Sequence, residues 1–179
     1  MRNVHGLLWV LCAAAVLGAA RRSQAQMRTP ADGHTIHVLA PHVVNGQAMG
    51  PYHHYCKVIS PEPVIECLIY ESTDTLAPLE QIEYIVAKTI TRTDAVSLDD
   101  WNRNWHDHTQ EIATGRVQVL DLPPDQARNV ANLVATTDGI IFHLWSRGDR
   151  VPNGRPIIAQ SVGHVNITMA DKMNRGATK

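Results

Sequence analysis

The 179-residue chain is 44% apolar, 18% charged and 5% aromatic, which excludes a disordered tail, a collagen-like repeat and a disulfide-dense miniature. A formal charge of −1 also excludes the basic footprint of a nucleic-acid binder, so no nucleic-acid partner is expected. Ten histidines are the one compositional excess.

Arg2 and His5 precede an uncharged run from Gly6 to Ala20, and Arg21, Arg22, Ser23, Gln24 and Ala25 follow it. A short apolar run behind a weakly basic start, closing on small residues, reads as a secretory signal peptide over residues 1–25. Fifteen residues fall short of the roughly 20 that a membrane-spanning helix requires. No second long apolar segment follows, so no transmembrane segment is expected after cleavage. Removing residues 1–25 takes away three arginines and no acid, leaving 13 basic against 17 acidic side chains, a net charge of −4. The remaining 154 residues suffice for one domain with its own core. The expected location is periplasmic or secreted.

Residues 26–50 are rich in Gly, Pro and polar side chains and read as an extended lead-in, where His34, His37 and His42 would be solvated. Tyr52 to Ile59 and Val64 to Tyr70 are β-rich runs around Ser60-Pro61-Glu62-Pro63, the pattern of a hairpin. Leu79 to Ile90 follows, with Ile82, Tyr84 and Val86 on one strand face. Ser97 then reads as a helix N-cap, with Asp99 in the first turn and Asp100 at the capping-box position. Behind it, Leu98, Trp101, Trp105, His108 and Ile112 recur at helical spacing. Arg116 to Leu122 alternates as a short strand. Pro123 and Pro124 open a second helix with Ala127, Val130, Ala131 and Val134 on its apolar face, and Asp138-Gly139 ends it before a strand from Ile140 to Trp145. A domain over residues 51–158 with a polar tail over 159–179 results. Its expected class is α+β, a mainly antiparallel sheet with two or more helices. A cupin-like β-barrel is the alternative, because both folds claim the residues around Trp105.

His53 and His54 are neighbours on a strand and therefore face opposite ways, His54 sharing its side with Cys56 and His53 with Tyr55. Trp105-His106-Asp107-His108 with Glu111 is the second cluster. On a strand, His106 and His108 face the same way and can grip one metal; this H-x-H-x-x-E spacing is loosely similar to the cupin metal motif, with a shorter step to Glu111. On a helix, His108 and Glu111 lie one turn apart and His106 turns away. The cap and stripe favour helix as far as Trp105, so His106 joins only if the helix ends early. Imidazole with carboxylate suits Zn, Cu, Fe or Mn, and such a set leaves positions open for substrate. The plain alternative is a hydrogen-bonded core histidine with Glu111 as its partner. Asp107 could orient an imidazole; His143 reads as a core residue. Cys56 and Cys67 are equidistant from the hairpin turn, so a cross-strand disulfide competes with two free thiols or with Cys56 joining a metal site. Arg147-Gly148-Asp149 is a turn after a strand, and Asn166-Ile167-Thr168 matches a glycosylation acceptor.

The blocks HHYC (His53 to Cys56), ECLIYES (Glu66 to Ser72), IEYIV (Ile82 to Val86), WHDHTQEI (Trp105 to Ile112) and RGDRVPNGRP (Arg147 to Pro156) together resemble the oil body-associated protein family. Order and spacing agree over roughly residues 50–158. The resemblance implies that His53, His54, Cys56, His106, His108 and Glu111 belong to one site, and it assigns no reaction. Plant members are associated with seed lipid droplets and lack the export segment, so this chain resembles an exported, bacterial-type member to which a droplet role does not transfer. The reading is an exported domain with a metal site of His54, His108 and Glu111, with His53 and His106 as alternates. It supports metal-dependent chemistry on a small-molecule or lipid-derived ligand. The rival is a non-enzymatic lipid- or protein-binding module.

Overall fold

The computed structural model describes residues 32–144, 152 and 154–174. The signal-peptide reading, Trp145 and the Arg147–Asp149 turn lie outside these residues. The fold described belongs to the unit formed by residues 33–179.

The described residues form eight strands and five helices in the order β1 (Ile36–Val44), β2 (Gln47–Ser60), β3 (Val64–Tyr70), β4 (Leu79–Ala87), α1 (Lys88–Thr91), α2 (Leu98–Asn104), β5 (Trp105–Asp107), α3 (His108–Ala113), β6 (Gln118–Leu120), α4 (Pro124–Ala135), β7 (Thr137–His143), β8 (Ile157–Ser161) and α5 (Met169–Met173). Among the described residues all strand pairings are antiparallel. Strands β2, β3, β4, β7, β8 and β1 pair in that order, and β1 returns to pair with β2. The sheet is therefore a closed six-stranded barrel, which leaves no free edge around the ring. β6 pairs with β1, and β5 with β7, beside β8 in each case.

This overturns the expected α+β class and supports the barrel alternative. The reason lies in two segments that the sequence reading set aside. Residues 36–44, expected to be a solvated arm, form β1, and His37 and His42 are buried there. Residues 157–161, placed at the edge of a polar tail, form β8, where Ala159 and Ser161 are buried. Only with both in place does the ring close. Four of the five helices have seven residues or fewer, too short to form a layer over a sheet. α4 is the exception: its Val130, Leu133 and Val134 line the barrel interior.

Period-two alternation selects the inner face: Val38, Ala40 and His42 from β1, Tyr52, His54 and Cys56 from β2, Ile65, Cys67 and Ile69 from β3. In β4 the inner residues are Gln81, Glu83 and Ile85, so the face holding Ile82, Tyr84 and Val86 is the outer one. Ser60 and Val64 flank the hairpin turn, which sets Cys56 opposite Cys67. The two are joined by a disulfide with Cα atoms 4.1 Å apart.

The predicted helix from Ser97 forms, and Ser97 accepts a hydrogen bond from the Asp100 amide. It stops at Asn104, and the chain turns extended for three residues before α3 begins. A buried ionic cluster imposes this break. Asp138, on β7 and opposite Asp107, accepts two bonds from Arg92 (2.8 and 3.0 Å), one from Thr91 Oγ1 (2.6 Å) and one from Trp101 Nε1 (2.9 Å). Asp107 binds Arg92 (2.7 Å) and Lys88 (2.6 Å) and caps α3 through the Thr109 amide. Burial would raise the Asp107 carboxyl, but Lys88 and Arg92 hold it down to about 2. Two cations and two anions balance, so each buried charge has an opposite at contact distance. Asp138 and Gly139, expected to end the second helix, instead lie inside β7.

Removing Arg92 would leave Asp138 buried and under-paired. Arg92→Met is expected to cost about 3–5 kcal/mol in urea unfolding. Arg103→Ala, which removes the exposed ion pair with Asp99, is expected to cost about 1 kcal/mol or less.

Candidate metal centre

Because β5 is a strand, His106 and His108 both point into the barrel while Asp107 between them points to the ionic cluster. Asp107 therefore fastens the backbone of the H-x-H segment and orients neither imidazole directly. Glu111, one turn along α3, follows His108 inward. Other strands of the barrel bring His42 on β1, His54 on β2 and Glu83 on β4 to the same pocket. All six side chains are buried.

Glu83 sits between two imidazole pairs. Its Oε1 is 3.2 Å from His106 Nε2 and 3.3 Å from His108 Nε2, and its Oε2 is 3.7 Å from His54 Nε2. Glu111 Oε2 stands 3.7 Å from the Nε2 atoms of both His106 and His108. The His42 and His54 Nε2 atoms are 3.0 Å apart. Two sets have ligand atoms close enough for one ion: Glu83, His106 and His108, and His42, His54 and Glu83.

Three of the remaining ring nitrogens are held by oxygen acceptors, while His106 Nδ1 is buried without a hydrogen-bond partner. His54 Nδ1 donates to the Tyr52 carbonyl (3.0 Å), and His42 Nδ1 donates to Gln81 Oε1 (2.8 Å). Thr137 gives its hydroxyl proton to the Val134 carbonyl and so accepts from His108 Nδ1 at 3.0 Å. In each case the Nδ1–H tautomer leaves Nε2 as the ligand atom, the usual support for a metal-binding imidazole.

The electrostatics follow from burial. Desolvation pushes the His42 imidazole down to about 3, aided by His54. It lowers His54 as well, against the pull of Glu83. Burial alone would raise Glu83, yet hydrogen bonds and charge from His106 and His108 hold its carboxyl well below the ordinary range. Burial also works against charging His108, and Glu83 outweighs it, so His108 ends above its usual value. Every described ion pair of Glu83 and Glu111 is with a histidine. Two carboxylates among imidazoles form a donor set that fits a divalent transition metal.

A mostly aliphatic pocket adjoins the cluster, with Ile36, Val38, Ile65, Ile85, Val130 and Leu133 in its wall. The cavity volume is about 30 Å³, against the roughly 10–15 Å³ that one water needs. An ion with a small ligand fits; a bulky one requires α4 to shift.

Of the residues singled out from the sequence, His54, His106, His108 and Glu111 converge here. His53 does not: it faces outward, and its Nδ1 lies 2.9 Å from His37 Nε2, whose ring also binds Asp121 and stacks on Tyr55. Cys56 faces the pocket, but its sulfur is bonded to Cys67. His42 and Glu83 were missed. The alternation Ile36, Val38, Ala40, His42 was a strand signal for the first. Glu83 lay on the polar face of a strand whose apolar face was taken as the informative one.

Gly139 pairs with His106 across the β5–β7 ladder, and no side chain fits there. A Cβ would lie 2.5 Å from both Glu83 Oε1 and His106 Nε2. Gly139→Ala is expected to drive these two side chains apart, and a crystal structure of the variant with both unmoved would refute the packing argument.

A family model described as "Protein of unknown function (DUF1264)" matches residues 28–177. Oil body-associated protein 1B of Arabidopsis thaliana is 32% identical over 112 residues, covering 62% of this chain and 45% of that protein. Oil body-associated protein 2C of the same plant is 31% identical over 61% of this chain and 45% of its own length. Oil body-associated protein 1A of Zea mays is 34% identical over 59% and 44%. The chain thus matches less than half the length of these relatives. No solved structure matches it. Among the described residues, no helix is long and apolar enough to cross a membrane.

Proposed function

The chain belongs to the DUF1264 family, the family of the oil body-associated proteins, and we propose that it is a metal-binding barrel that presents a divalent transition metal to a small, largely apolar ligand. The observation that carries this reading is the Glu83 carboxylate, buried between the His106 and His108 imidazoles with Glu111 behind them. Glu83, His106 and His108 are the ligands, with Glu111 beside them and positions left for substrate. Zn, Fe, Mn and Cu are all compatible with these donors. A metal here supplies Lewis-acid chemistry, polarising a bound oxygen or lowering the pKa of a bound water. The protein's own part is to hold the His108 imidazole in the Nδ1–H form through Thr137, keep bulk water out and offer the aliphatic wall to the apolar part of the ligand. Metal-dependent enzyme activity is the consequence we infer.

Export to an oxidising compartment, secreted or periplasmic, is the accompanying proposal. The apolar run before Arg21 and the Cys56–Cys67 disulfide support it.

A second reading, a non-enzymatic lipid-binding module, draws on the relatives' name and on Val58 and Ile59, exposed beside the β2–β3 turn. It calls for binding to phospholipid vesicles by a protein that takes up no metal.

Elemental mass spectrometry on the chain, purified without a histidine tag, separates the two. At least one equivalent of a transition metal is expected, falling by tenfold or more in Glu83→Gln and His106→Ala. Protein that stays metal-free after reconstitution with Zn(II), Mn(II) and Fe(II) would remove the enzyme reading.

A further inference from the structure

His42 and His54 are unexplained by a centre built on His106 and His108. Their Nε2 atoms face each other at 3.0 Å, deep in the barrel. A backbone carbonyl only accepts, so the Tyr52 carbonyl places the His54 proton on Nδ1 and leaves its Nε2 bare, while the Gln81 side-chain amide holds His42 Nδ1 at 2.8 Å. The two Nε2 atoms thus face each other across 3.0 Å within one compact donor set. Two nitrogens each about 2.0–2.1 Å from one ion stand roughly 2.9–3.4 Å apart between right-angled and tetrahedral coordination, and the 3.0 Å separation here falls in that range. The third donor is already present, since Glu83 Oε2 lies 3.7 Å from His54 Nε2 and the three residues form a compact ligand set.

Glu83 belongs to both sets. One of its oxygens faces His106 and His108, and the other faces His54. We infer that the barrel holds two cations bridged by the Glu83 carboxylate: one on His106 and His108 with Glu111, the other on His42 and His54. Carboxylate-bridged ions stand about 3.5–4 Å apart in two-metal sites, and one substrate atom then reaches both. The arrangement suits a ligand with an anionic or strongly polar oxygen at one end and an apolar body against the pocket wall. The first ion rests on the proposed function above; the second stands on the His42–His54 geometry.

Metal stoichiometry separates the two claims. The metal-free full chain titrated with Mn(II) is expected to bind two equivalents, and the loaded protein to show an exchange-coupled electron paramagnetic resonance spectrum. This measurement needs no variant. His42→Ala is expected to reduce binding to one equivalent and abolish the coupling while His106 and His108 keep their ion; circular dichroism checks that the variant folds. One equivalent in the unmodified chain, or two without coupling, overturns the bridged pair and leaves the single-metal reading intact. No binding of Mn(II), Co(II) or Zn(II) overturns both.

Discussion

A carboxylate removed from water must meet opposite charge or hydrogen-bond donors, or it will take up a proton. Glu83 is buried at the centre of the barrel, and the surrounding groups are arranged around that fact. His106, His108 and His54 reach it from three different strands or helices, Gly139 gives them room, and β4 is turned so that its polar face looks inward. The cost of that inversion is visible on the outside, where Ile82, Tyr84 and Val86 are only half-buried. Tyr84 offsets part of it by donating its hydroxyl to Glu66.

The second constraint is the cluster of Arg92, Lys88, Asp107 and Asp138 on the other side of the wall. Helical spacing from Leu98 to Ile112 would keep one helix running and turn His106 away. The aspartate pair and its cations hold residues 105–107 against β7 instead. Alternation in the resulting strand sends both histidines inward and Asp107 outward. The cluster thus acts on the site through backbone geometry, at no direct contact with the ligand set. Cys56 and Cys67 play a comparable part in the hairpin, fastening the strand that carries His54 to its neighbour.

The pocket joins the polar centre to an aliphatic wall completed by α4. Its polar donors lie at one end and its hydrocarbon wall at the other. Relatives named oil body-associated proteins are similar to this chain over about 60% of its length.

Local chemistry settled several features without the fold. The Ser97 cap, the proline-opened helix at Pro124, the hairpin around Pro61 and the facing cysteines depend on neighbours a few residues away, and each is where the sequence places it. The family blocks were equally legible, because motif order survives in one dimension. Closure of the barrel was not, since β1 and β8 join only through pairings across the length of the domain. His42 reads as part of an arm until β1 is known to be a wall strand. Glu83 reads as an outward charge because a hydrophobic pattern presumes an apolar interior, and this interior is partly polar. Whether the helix stops at Trp105 was decided by Arg92 and Lys88 meeting aspartates on two different strands. The sequence alone therefore determined the local turns, caps and candidate ligands. Which ligands meet was left to the tertiary structure, because a buried charge chooses its partners in space and not along the chain.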